Sequence, residues 1–282
     1  MIRHIVRQTA IAVLALTCAT AAFAQDDEDD AVLKPAEPDF TLVSLPTSLR
    51  LPKFKSAFRV THRFGRPLGD GDFGDLAGDF FGLDNGATIG LEYRFGIIPN
   101  GQIGFHRSSS GKTIELFAQY GALRQAGHSP VDVSAWFSIE GTDNLQENHS
   151  PSLGAIISRR FGEVAAVYVQ PMWINNSNPV PGQLVDHNDT GIIGLAARVR
   201  ILQTVYLVGE VAPRIGGYEP GATHGAFAIE KRVGGHVFQL NFSDSWSTTM
   251  GQIARGGFSH QDPDGSSVTD WFLGFNITRK FY

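Results

Sequence analysis

From Ala57 to the C-terminus, apolar side chains recur at every second position in about twelve separate segments, and this beat constrains the fold more than any other feature. In GATIGLEYRFGIIPNGQIGFHRSSSGKTIELFAQYGAL (residues 86–123), Ala87, Ile89, Leu91, Tyr93 and Phe95 alternate with Thr88, Gly90, Glu92 and Arg94. The same beat runs through Phe58 to Phe64, Ile103 and Phe105, Ile114 to Tyr120, Val131 to Ile139, Leu153 to Ile157 and Ala165 to Trp173. It continues through Ile193 to Val199, Val205 to Val211, Gly225 to Ile229, Phe238 to Phe242 and Trp271 to Phe281. A period of two belongs to β-strands, whose successive side chains point to opposite faces.

The connections narrow the fold further. Those after even strands are mostly tight, as at 98–101, 162–163, 201–203 and 233–235. Those after odd strands are mostly long, as at 65–86, 141–152, 174–189, 215–222 and 243–267, with 108–112 and 124–130 as exceptions. Sorting of this kind marks a transmembrane β-barrel with short periplasmic turns and longer outer loops, and a soluble sandwich has no reason to adopt it. A strand of about ten residues tilted about 40° crosses roughly 25 Å of hydrocarbon. Closure is required because an open sheet edge in lipid leaves backbone groups unpaired. The expected fold is therefore all-β: a closed antiparallel transmembrane barrel of about twelve strands over residues 53–282.

The opening MIRHIVRQTAIAVLALTCATAAFAQ has basic Arg3 and Arg7, an apolar run from Ala10 to Leu16, and small residues at Ala22 and Ala24. It reads as a secretory signal over residues 1–24, too short to remain as a spanning helix. The sole cysteine, Cys18, lies inside it, in a context that fits a lipoprotein cleavage point poorly. The mature chain then has no thiol for a disulfide, nucleophile or metal site. Loss of Arg3 and Arg7 takes the net charge from −5 to −7, which implies no nucleic-acid surface. Residues 25–52, with an acidic run followed by prolines and no periodicity, read as a flexible periplasmic lead.

The last strand, WFLGFNITRKFY, sets Trp271, Leu273, Phe275, Ile277 and Phe281 on one face and ends on two aromatics. Outer-membrane proteins resemble this, and the resemblance implies recognition by the barrel-assembly machinery. Arg279 interrupts the face but can snorkel at a rim. THRFGRPLGDGDFGDLAGDFFGLDNGATIGLEYRFG (61–96), SPSLGAIISRRFG (150–162) and VYVQPMWINNSN (167–178) resemble a bacterial barrel family known as domain of unknown function 5777. That resemblance implies a β-barrel of the outer envelope, in contact with membrane lipid and lipopolysaccharide, and supplies no site residues.

The strand parity places Arg59, Arg63, Glu92, Arg94, His106, Glu115, Gln119, Asp132, Glu140, Arg198, Arg200, Glu210 and Arg214 toward the lumen. Charges of both signs on adjacent strands serve either as a selective pore lining or as a cross-strand network that fills a narrow barrel. The arginine pairs tilt a pore toward small anionic solutes. GDGDFG (69–74) matches a dinucleotide-binding pattern, but its Asp70 and Asp72 repel a pyrophosphate and no βαβ unit surrounds it. With Asp75 these acids also miss the EF-hand spacing, and the histidines lack zinc spacing, so neither cofactor nor metal is expected. His62, on the lipid face, resembles the outward histidine of outer-membrane phospholipases, yet no serine with an orienting partner can be assigned to it.

Residues 65–86 are too apolar for an exposed loop. Phe73, Leu76, Phe80, Phe81 and Leu83 are expected on a short helix capped by Asp70 or Asp72, either plugging the barrel mouth or resting on its rim. The expected function is passive passage of small solutes through a charged lumen. A closed barrel that presents its outer loops as a platform is the alternative, and an outer-membrane hydrolase is third.

Overall fold

A computed structural model of the chain describes residues 36–282 apart from 84, 127–128, 179–187, 218–220, 262–264 and 266. The expected signal and the first part of the expected lead lie outside the described residues. Twelve strands form the wall: β1 (Ser56–Pro67), β2 (Ala87–Ile98), β3 (Gly101–Ser108), β4 (Ile114–Leu123), β5 (Asp132–Gly141), β6 (Glu147–Phe161), β7 (Ala165–Ile174), β8 (Thr190–Leu202), β9 (Val205–Ala212), β11 (His224–Val233), β12 (His236–Ser243) and β15 (Phe272–Phe281). The short β10 (Arg214–Gly216) continues the line of β9 along β8, and β13 (Ser259–Gln261) pairs with β14 (Ser267–Thr269) apart from the wall.

Each wall strand pairs antiparallel with its neighbours, and the circle closes where β1 meets β15, with Val60 opposite Ile277. Both ends of the wall therefore lie on the rim that carries the tight turns, such as 99–100 and 234–235. Asn100 and Gly234 take left-handed φ values of 64° and 54°, which suits two-residue reversals between twisted strands. The long connections gather at the opposite, outer rim. The periplasmic exception at 124–131 is tied down by Gln125, which exchanges hydrogen bonds of 2.9 and 2.7 Å with the backbone of Arg160.

The two faces separate as the alternation requires. Ile89, Leu91, Tyr93, Phe105, Leu116 and Phe137 point outward and are exposed, whereas Glu92, Arg94, His106, Glu115 and Gln119 point inward and are buried. An outward apolar band matches lipid, and closure leaves the sheet without an unpaired edge inside it.

The interior of the wall is full. Residues 36–51, expected to hang free in the periplasm, instead form a hairpin inside the barrel. Leu42 N–H donates to Leu45 O at 2.7 Å and Thr47 N–H to Phe40 O at 2.8 Å, so the chain reverses at Leu42–Leu45. Leu42, Val43 and Leu45 are completely buried. The physical reason is lumen size. About eight strands can fill their interior with wall side chains, and a wider ring needs another occupant. The acidic run and prolines suggest a free segment, but Phe40, Leu42, Val43, Leu45, Leu49 and Leu51 supply apolar surface that water would not favour.

A second insert enters from the outer rim. In the connection from β12 to β15, a helix, α1 (Met250–Ala254), lies in the mouth with all five residues buried. Met250, Ile253 and Ala254 share one apolar cluster with Leu42, Val43 and Leu45 and with the inward wall residues Phe117, Trp136, Ile156, Met172 and Ile192. Gly256 turns the chain back out at φ 87°, where a Cβ would stand 1.8 Å from Ala222 O.

Candidate functional site

The lumen and its two inserts form the candidate site. The inward charges do not line an open path; they bind the hairpin. Glu210 accepts the backbone N–H groups of Val43, Ser44 and Leu45 at 3.0, 2.8 and 3.2 Å. Arg59 donates to Val43 O at 2.7 Å, Gln239 to Leu42 O at 2.9 Å and Arg198 to Thr41 O at 2.8 Å. Gln119 and Gln170 donate to Thr47 O and Pro46 O, each at 2.9 Å. A reversal buried in a barrel has no ladder partner for these backbone groups, so the wall side chains provide them.

The remaining charges pair with one another. Arg198 grips Glu230 through two bonds of 2.8 and 2.9 Å, with both side chains fully buried. Arg94 binds Glu92, which also faces His106 Nδ1 at 3.5 Å. Arg160 joins Asp132 at 2.6 Å and Glu37 of the hairpin's first arm at 2.9 Å. Glu115 and Glu140, directly opposite across β4 and β5, receive the N–H groups of Met250 at 3.4 Å and Gly251 at 2.7 Å and so hold the outer insert.

Of the thirteen residues placed toward the lumen from strand parity, Arg59, Arg63, Glu92, Arg94, His106, Glu115, Gln119, Asp132, Glu140, Arg198 and Glu210 are buried within the wall. Arg200 and Arg214 share the inward parity but are only half-buried. Arg200 sits beside a register shift at the periplasmic end of β8 and pairs with Glu163 of the adjacent turn at 3.3 Å. Arg214 is half-buried on β10 at the outer rim. The parity is right for both, but the strands run on past the filled part of the barrel.

His224 and Glu230 lie on the inward parity of β11, and Gln239 and Asn276 on that of β12 and β15, so alternation alone could have found them. Asp244, just past β12, and Glu37 carry no period and could not be found that way.

His224 Nδ1 lies at hydrogen-bond distance from Asp244 Oδ1 (2.7 Å), and its Nε2 faces Glu210 Oε1 (3.3 Å). Ser245 Oγ lies 3.4 Å from the same Nδ1, which completes a serine, histidine and aspartate in one place. The arrangement is not that of an activated nucleophile. Both ring nitrogens already face carboxylates, so neither is left to take the serine proton. His62 faces outward and stacks on Phe275 with ring centres 4.8 Å apart.

Of the two placements open to residues 65–86, plug or rim, the exposure of their described apolar side chains speaks against the plug, and the lumen is filled by other segments. Phe73–Gly78 is helical, capped by Asp72, whose carboxylate accepts from Gly74 and Asp75, while Asp75 returns a bond to Asp72 N–H. Arg66 anchors the turn to Asp79 at 2.8 Å. Phe73, Phe80, Phe81 and Leu83 stand exposed outside the barrel mouth, and Leu76 is half-buried.

Beside the outer insert, a pocket of about 450 Å³ opens to the outer face between Trp246, Phe258, Arg255, Gln252 and Ala222. Trp246 and Phe258 rings lie 4.8 Å apart, and Arg255 Nε donates to Ser177 O at 2.9 Å.

The family comparison agrees with the wall. A family described as membrane bound beta barrel domain (DUF5777) matches residues 39–281, which includes most of the hairpin. No curated protein matches the chain. Among solved structures, the KdgM porin in complex with disordered oligogalacturonate is similar at 8% identity and a TM-score of 0.49, over 81% of this chain and 99% of that one. The NanC porin has 8% identity and a TM-score of 0.49 over 80% and 99%. The outer membrane channel DcaP of Acinetobacter baumannii has 9% identity and a TM-score of 0.35 over 69% and 63%.

Proposed function

Because the chain belongs to the membrane-bound β-barrel family DUF5777, we propose that it is an outer-membrane channel held shut by its own N-terminal hairpin and opened when that hairpin withdraws toward the periplasm. The carrying observation is that the lumen is filled by two inserted segments and not by the wall. The hairpin enters from the rim of tight turns, and its backbone is held by side chains that water can replace. Withdrawal removes the carbonyl acceptors of Arg59, Arg63 and Arg198, so their guanidinium groups would line the path. Small anionic solutes are therefore the class favoured for passive diffusion, without turnover or cofactor.

Planar-bilayer conductance tests this reading. The intact chain is silent or rarely open, deletion of residues 36–51 gives discrete steps, and the reversal potential in a salt gradient shows anion preference. A deletion variant that folds to a heat-modifiable barrel and stays silent removes the channel reading. In that case the second reading stands, a closed barrel that binds through its outer face, which the 450 Å³ pocket beside Trp246 and Arg255 favours.

A further inference from the structure

Between the hairpin tip and the outer insert lies a small cavity of about 30 Å³. Its lining includes Val43 and Ser44 from below and Met250 and Ile253 from above, so both inserts share it. The wall contributes Arg59, Arg63, Arg94, His106 and Trp136. Each of these wall residues is buried, and each keeps a side-chain nitrogen without a hydrogen-bond partner: Arg59 Nε, Arg63 Nε, Arg94 Nη1, His106 Nε2 and Trp136 Nε1. Ser44 Oγ is in the same condition.

Orphaned buried donors are rare in folded proteins, and each is costly unless a ligand or water meets it. Here the residues that carry them all line one small cavity. Guanidinium and indole nitrogens only donate, so a common partner must accept from several of them at once. One water accepts about two hydrogen bonds, fewer than four such donors require. Two waters would bring protons of their own, and of the two lining carboxylates Glu92 is already shared between Arg94 and His106 while Glu115 accepts the N–H of Met250. Three guanidinium groups against Glu92 and Glu115 also leave the lining with positive excess.

We propose that this cavity binds a single halide-sized anion, with chloride as the physiological candidate, and that the ion joins the hairpin to the outer insert. A space of this volume accepts one or two atoms of about water size. A tetrahedral oxyanion brings four oxygens and does not fit. The site concerns the shut barrel and stands independently of the channel reading.

The test uses the full mature chain in detergent. Crystals grown or soaked with bromide should show an anomalous peak in the cavity, within contact distance of Arg59 Nε, Arg63 Nε and Trp136 Nε1. Chloride or bromide at about 100 mM should raise the unfolding temperature by several degrees over gluconate or sulfate at equal ionic strength, by preferential binding to the folded state. Trp136→Phe keeps the ring and removes one donor, so it should shift the halide midpoint severalfold upward; Arg63→Gln should shift it further if that variant folds. A cavity without anomalous density at saturating bromide, together with equal unfolding temperatures in chloride and gluconate, overturns the proposal. This holds whether or not conductance is ever observed.

Discussion

Glu210 and His224 face each other at 3.3 Å inside the barrel, and through that contact the two inserts become one assembly. Glu210 holds the hairpin tip through three backbone N–H groups. The far nitrogen of His224 faces Asp244, which also accepts Gly225 N–H at 2.6 Å at the start of the outer insert. Replacing Glu210 by Gln should therefore loosen both ends. We expect a stability loss of about 1 to 3 kcal/mol by thermal or denaturant unfolding, together with faster protease cleavage within 36–51. An unchanged cleavage rate would separate the hairpin from this contact.

Arg198 and Glu230 provide a second test of the buried network. Arg198→Gln leaves a carboxylate without its guanidinium partner and should cost about 3 to 5 kcal/mol. Arg198→Met with Glu230→Leu should recover much of that loss, because the desolvation of both charges disappears with them. A double-mutant cycle that gives simple additivity would show that the pair is not coupled.

On the lipid face, Leu91→Arg should cost about 2 to 4 kcal/mol near mid-bilayer. Inward positions are equally intolerant, for a different reason. A Cβ at Gly104 would stand 2.0 Å from the Phe117 ring, so Gly104→Val should fail to assemble as a heat-modifiable barrel. An empty lumen would tolerate that change, and recovery of normal yield would argue for one.

Deletion of residues 70–84 should leave conductance unaltered, because the phenylalanines of this outer connection stand exposed outside the mouth. The expected effect is weaker anchoring at the membrane surface, read as lower thermal stability in bilayers than in detergent. Larger conductance after the deletion would reassign this segment to the lumen.

The barrel wall was legible in the sequence because lipid imposes a strict alternation. Leu91 and Glu92 must take opposite sides wherever the strand sits. The loop sorting was legible for a related reason, since only a membrane distinguishes the two rims. The occupants of the lumen were hidden. Phe40 to Leu51 carry apolar residues without a period, since a hairpin held by wall side chains needs no alternating face. Gly251 and Asp244 look like ordinary loop residues until the fold sets them against Glu140 and His224. The apolar loop at 73–83 drew attention as a plug because its composition resembles one, while the plugging segments were more polar and less conspicuous.

The connection between hairpin and wall is only residues 52–55, and it is stitched to β2: Phe54 N–H donates to Gly96 O at 2.7 Å and Gly96 N–H to Lys55 O at 2.9 Å. A chain of four residues reaches about 13 Å at full extension, so a hairpin that leaves the lumen remains at its entrance. Its effective concentration there is in the millimolar range or above. Under the proposed gating, re-entry would consequently be first-order, and the balance between shut and open barrels would be indifferent to dilution. A single cut within 52–55 would change the kinetic order: the stopper would become a separate peptide, and closure would then depend on how much of it the periplasm holds.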